Sequence, residues 1–224
     1  MRGVVASTAP VAYAPLMETL TFYFSFRSPY SWFAYHRLAR VFDGVPVRVE
    51  RVPVFPPPDF PNDPAAMPGK LHYLVADVQR IASAYGLTVR WPEKTDTEWM
   101  RPHAAYLHAA DAGRGDAFAL ALYAARFSRG EDVVRDEVIA GAATAAEVDP
   151  VATLRAGDDP AVHQRVLEGM GRALQDGIFG VPYFVYGEQR FWGNDRLEWL
   201  VRAVRENAGQ PVPDLQSDPL ARPC

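Results

Sequence analysis

The chain has 224 residues, a formal net charge of −4, one cysteine, and close to half its residues apolar. That length fits one domain, or one domain carrying an insertion, with apolar residues enough for a substantial core. The acidic balance argues against a nucleic-acid-binding surface, the single cysteine excludes an intrachain disulfide, and no apolar run is long enough to indicate a membrane span.

Residues 1–16 hold one arginine and an apolar stretch broken by Ser7, Thr8, Pro10 and Pro15. They make a poor signal peptide and read as a disordered extension, with Met17 a candidate start. The aromatic run Phe22-Tyr23-Phe24-Ser25-Phe26 suits a buried strand. It breaks at Arg27-Ser28-Pro29, and a helical pattern follows over 30–42 through Trp32, Phe33, Tyr35, His36 and Leu38. Ser28 is a good N-cap, and Pro29 fits the first helical position, where a missing N–H costs nothing. A strand running into such a helix leaves backbone N–H groups and the positive dipole end beside a hydroxyl, a setting that can hold an anion or a thiolate. The plainer alternative is a strand, a turn and a cap without chemistry.

Gly44 stops the helix, and residues 45–52 alternate as a second strand, completing a β-α-β start. The proline-dense stretch 53–64 excludes regular structure. From Lys70 the period becomes helical, with Leu71, Leu74, Val75, Val78, Ile81, Ala82 and Tyr85 on one face. Alanine-rich helices are predicted at 102–112, 116–126 and 132–146, and another starts at Pro160. Strands return at 183–186 and 190–192 across a turn, and Asn194 or Asp195 is placed to cap a last helix carrying Leu197, Leu200, Val201 and Val204.

The order β-α-β, helical block, β-β-α fits an α/β thioredoxin-like fold with an inserted all-helical domain. Residues 17–60 and 177–208 form the thioredoxin-like part, 61–176 the insertion, and 209–224 a C-terminal tail. Cys224, at the end of that tail, reads as a disordered terminal thiol, and the reducing cytosol is the expected compartment. In such a fold the Pro of Gly180-Val181-Pro182-Tyr183 would be cis and face the first helix. Val181 would then offer its backbone N–H and C=O to a peptide-like ligand. An ordinary trans turn is the alternative. His103 and His108 are five apart, off one helix face, so no metal site is expected. Nucleotide-binding and α/β-hydrolase motifs are missing as well.

Three stretches together resemble a known family: Phe24-Ser25-Phe26-Arg27-Ser28-Pro29-Tyr30-Ser31-Trp32, Gly177-Ile178-Phe179-Gly180-Val181-Pro182, and Phe191-Trp192-Gly193-Asn194-Asp195-Arg196-Leu197. They look like the signatures of 2-hydroxychromene-2-carboxylate isomerases and kappa-class glutathione transferases, within the DsbA-like superfamily. The resemblance implies that Ser28 binds the thiol of glutathione as the catalytic residue, with Pro29 and Tyr30 completing that wall. Val181, before cis-Pro182, would pair with the cysteinyl backbone. Asn194 and Asp195 would hold the γ-glutamyl end, and Asn62 and Lys70 the glycyl carboxylate. The redox members place a cysteine pair where this chain has Ser28-Pro29-Tyr30-Ser31, so the nucleophile would be borrowed from glutathione.

In the isomerase reading, the thiolate adds to a conjugated hydroxychromene carboxylate and the ring opens. The bond left single then rotates, and elimination gives a trans-benzylidenepyruvate. In the transferase or peroxidase reading a small electrophile is the acceptor. A non-catalytic binding module is the third reading. The family also implies a homodimer. This chain departs from the family isomerases at 90–99, where they carry a proline-rich, asparagine-containing stretch, and its gap from Asn62 to Lys70 is one residue shorter.

Overall fold

The computed structural model describes residues 18–57, 67–92 and 98–212. Expectations for residues 1–16, for Asn62 and for Cys224 lie outside the described residues. The elements are β1 (Thr19–Phe24), α1 (Pro29–Val41), β2 (Arg48–Pro53) and α2 (Pro68–Ala84), followed by α3 (Met100–Asp111) and α4 (Gly115–Tyr123). A π-helical turn (Ala124–Arg129) leads to α5 (Asp136–Ala145), α6 (Pro150–Gly157) and α7 (Pro160–Gln175). The chain then returns through β3 (Tyr183–Tyr186) and β4 (Gln189–Trp192), a 3-10 turn (Asn194–Arg196) and α8 (Leu197–Asn207). This is a thioredoxin-like fold, with the helices α2 to α7 between its two strand pairs. Among the described residues, no helix is long and apolar enough to cross a membrane.

The sheet has the order β2-β1-β3-β4, with β1 and β2 parallel and the other pairs antiparallel. Tyr23 of β1 faces Tyr183 of β3, and Tyr183 in turn faces Trp192 of β4. The register therefore brings the ends of β1, β2 and β4 and the beginning of β3 to one edge. Every signature stretch read from the sequence arrives at that edge.

One apolar cluster joins the sheet to the helical block. Phe22, Phe24, Phe26 and Phe33 are packed in it with Tyr106, Phe118, Tyr123 and Phe127. A smaller cluster on the other sheet face holds Tyr23, Val52, Val54, Ala173 and Tyr183, covered by α7. On α2 the expected apolar face is only half used. Val78 and Ala82 are buried, whereas Leu71 and Val75 are 42% and 41% exposed. The helix meets α1 through its second half, so the apolar positions of its first turns face outward.

Candidate active site

The loop after β1 is built as the sequence suggested. Ser28 is extended (φ −92°, ψ 117°) and caps α1, its Oγ accepting the Ser31 N–H at 3.1 Å. The Trp32 N–H is taken by the Ser28 carbonyl at 3.2 Å, and Pro29 has no N–H to offer. Among the described residues, the Tyr30 N–H is the first-turn donor left without a hydrogen-bond partner. A helix has four such donors at its start, and this one is reserved beside the cap hydroxyl.

The Val181–Pro182 peptide bond is cis. The Val181 carbonyl accepts the Ser28 hydroxyl at 3.2 Å across a sequence gap of 153 residues. Gly193 N–H donates to the Pro182 carbonyl at 3.0 Å, which ties the segment after β4 to the same loop. The structure thus brings together Ser28, Pro29, Tyr30, Val181 and Pro182. The Ser28 hydroxyl has partners on both sides, the Ser31 N–H and the Val181 carbonyl.

Tyr30 contributes its ring to this wall, because its hydroxyl is committed elsewhere. Tyr30 Oη donates to Asp77 Oδ2 at 2.8 Å, and Asp77 also pairs with Arg80. Burial, reinforced by the Asp77 carboxylate, pushes the phenol well above its ordinary range, so it stays neutral. Lys70 is exposed on α2, seven residues before Asp77 and on the same helical face. That spacing puts it about 10 Å along the helix from the Tyr30 contact.

The expected cap of the last helix is not made. The chain first turns through the 3-10 helix, and α8 then starts behind Arg196 with no side-chain cap. Asn194 is buried, and its carbonyl accepts Arg37 Nη1 at 2.6 Å, while Arg37 also pairs with Glu198. Asp195 is exposed and paired with Arg196. Its carboxylate is thus available to a ligand ammonium by exchange of a surface partner.

Two residues assigned no part in this site from the sequence, His103 and Tyr123, reach the Ser28 loop from the helical block. His103 Nε2 accepts the Phe26 N–H at 3.2 Å, and Tyr123 Oη donates to the Ser25 carbonyl at 2.9 Å. Burial holds the His103 imidazole down at about 4, so it is neutral at physiological pH. The available signal was a polar ring among Pro102, Ala104, Ala105 and Ala109 on an otherwise apolar face. His36, which the helical pattern of 30–42 includes beside Trp32, Phe33 and Tyr35, is exposed.

Comparison with known proteins shows the family. The DSBA-like thioredoxin domain matches residues 19–205. The chain belongs to the DsbA-like thioredoxin domain family. Within reach of that family, a 2-hydroxychromene-2-carboxylate isomerase from Sphingobium xenophagum is 28% identical over 193 residues, spanning 83% of this chain and 97% of the relative. Another of that name, from Pseudomonas sp. (strain C18), is 29% identical over 204 residues, spanning 88% of this chain and 93% of the relative. A solved structure of a 2-hydroxychromene-2-carboxylate isomerase gives a TM-score of 0.73 at 24% identity, covering 85% of this chain and 98% of that one. At that identity the likeness shows the fold. This DsbA-like chain carries Ser28 and Ser31 at the mouth of α1 and no thiol between them.

Proposed function

We propose that the protein is a glutathione-dependent isomerase acting on 2-hydroxychromene-2-carboxylate or a closely related aromatic electrophile. The observation that carries this reading is the Ser28 hydroxyl, seated between the mouth of α1 and the Val181 carbonyl beside an unused Tyr30 N–H. The names of the similar proteins supply the substrate class.

The donor set fits a thiol-bearing peptide. Bound there, glutathione would supply a sulfur nucleophile that the chain lacks at positions 28–31. Ser28 has one hydroxyl proton, which without a ligand points at Val181. Turning that proton toward sulfur leaves the Val181 carbonyl free for a ligand N–H, so neither group is stranded. The Ser31 N–H stays on Ser28 Oγ and holds the hydroxyl at the helix mouth. The Tyr30 N–H and the helix dipole add positive potential at the same point. A hydrogen bond to a charged group contributes about 1.5–3 kcal/mol, and 1.4 kcal/mol is about one pKa unit, so two donors depress the thiol by roughly two units or more. Val181 pairs with the cysteinyl backbone, Asn194 and Asp195 hold the γ-glutamyl end, and Lys70 the glycyl carboxylate. Under this reading the protein works as a homodimer in the reducing cytosol.

The test is conversion of 2-hydroxychromene-2-carboxylate, followed by absorbance, with and without glutathione. We expect conversion that requires glutathione without consuming it, and a loss of about a hundredfold in kcat/KM for Ser28→Ala. Stoichiometric loss of glutathione would shift the reading to a transferase. Conversion at full rate without glutathione would overturn it.

A further inference from the structure

The loop that presents Ser28 is gripped by side chains from two helices of the block between the strand pairs. β1 ends at Phe24, so the Phe26 N–H has no sheet partner and is buried. His103 meets it. The ring is fully buried among Phe24, Phe26, Phe55 and Trp99, and its Nδ1 lies 2.6 Å from the Trp99 carbonyl. Nδ1 must therefore carry the proton, which leaves Nε2 as the acceptor for Phe26. A leucine would fill this space but strand the buried Phe26 N–H.

Tyr123 acts on the neighbouring peptide. Its buried hydroxyl donates to the Ser25 carbonyl, which also accepts the Ser28 N–H at 3.0 Å. One carbonyl oxygen thus joins α4 to the cap residue itself. We propose that His103 and Tyr123 are positioning residues, which fix the peptide units of 25–28 and so hold the Ser28 hydroxyl against Val181 and the mouth of α1. Neither touches the ligand. The alignment of Ser28 then depends on how α3 and α4 dock on the sheet. The functional consequence rests on the glutathione reading above, whereas the clamp itself does not.

Three variants separate the contributions. In His103→Gln the side-chain oxygen can reach the position of Nε2 and accept from Phe26. His103→Asn keeps a donor near Trp99 but is too short for Phe26, and Tyr123→Phe removes only the hydroxyl. Amide hydrogen exchange on the ligand-free protein is read first. Phe26 and Ser28 should exchange at least tenfold faster in His103→Asn and Tyr123→Phe, relative to the β1 amides, with protection of Phe26 restored in His103→Gln.

Ionisation of bound glutathione is read second. The thiolate fraction at a fixed pH below the thiol pKa should fall about tenfold in His103→Asn and Tyr123→Phe and return in His103→Gln. Uniform loss of protection across the fold, or local loss with unchanged thiol ionisation, would overturn the proposal. Failure of the wild type to bind glutathione would refute the functional reading, and hydrogen exchange would still decide whether the clamp exists.

Discussion

Ser28 serves as helix cap and as candidate active-site group with the same oxygen. Its replacement by alanine should therefore lower stability by about 1 kcal/mol, measured by urea unfolding, besides impairing the site. Unchanged stability would mean that the cap bond to Ser31 contributes nothing. His103 gives a pH dependence of known sign. Its folded pKa of about 4 lies below the ordinary imidazole value of 6.5, so between those values the unfolded chain binds the extra proton. Stability should fall by roughly 3 kcal/mol as pH drops across that window, and His103→Gln should flatten much of the slope. An identical slope in the variant would refute the buried neutral imidazole. Ser28 was legible because strand, Ser and Pro form a local pattern. His103 and Tyr123 were not, since their partners lie 77 and 98 residues away. Sequence proximity likewise made Asn194 or Asp195 look like the cap of α8, where a 3-10 turn intervenes.

At the level of elements, two glycines fix how segments meet. Gly193 has φ 111° and ψ 153°, a region that side chains rarely adopt, and it leads directly into Asn194 and Asp195. Gly193→Ala should cost roughly 1–3 kcal/mol of stability and weaken glutathione binding in a calorimetric titration, although Ser28 is untouched. Unchanged affinity would detach Asn194 and Asp195 from the ligand. Gly169 lets α7 approach β2, since an added Cβ would sit 2.9 Å from Val52 Cγ1. Gly169→Ala should destabilise the fold by about 1–3 kcal/mol in thermal or urea unfolding. Local signals such as Ser28-Pro29 and Asp159-Pro160 marked α1 and α7 well. The π turn after α4 and the outward half of α2 were not legible, because periodicity does not say which partner a face meets.

Across the whole molecule, the strand and helix order was enough to suggest the thioredoxin-like fold, but not how the helical block joins it. Alanine-rich segments show that a face is apolar without showing what it packs on. Here Phe24 and Phe26 pack directly on Tyr106, and Phe26 also packs on Tyr123, so sheet and block share a core. Urea unfolding should be a single transition, coincident by far- and near-ultraviolet circular dichroism. Separate transitions would show an autonomous helical unit. The same junction connects α3 and α4 to the Ser28 loop, where the functional reading concentrates. The measurement that tests it most directly is titration of glutathione into wild type and Ser28→Ala, with the bound thiol followed by thiolate absorbance against pH. The expected result is saturable binding with a thiol pKa depressed by roughly two units in the wild type and returned by one or more in the variant. The contradicting result is no binding at millimolar glutathione, or a bound thiol that ionises alike in both proteins.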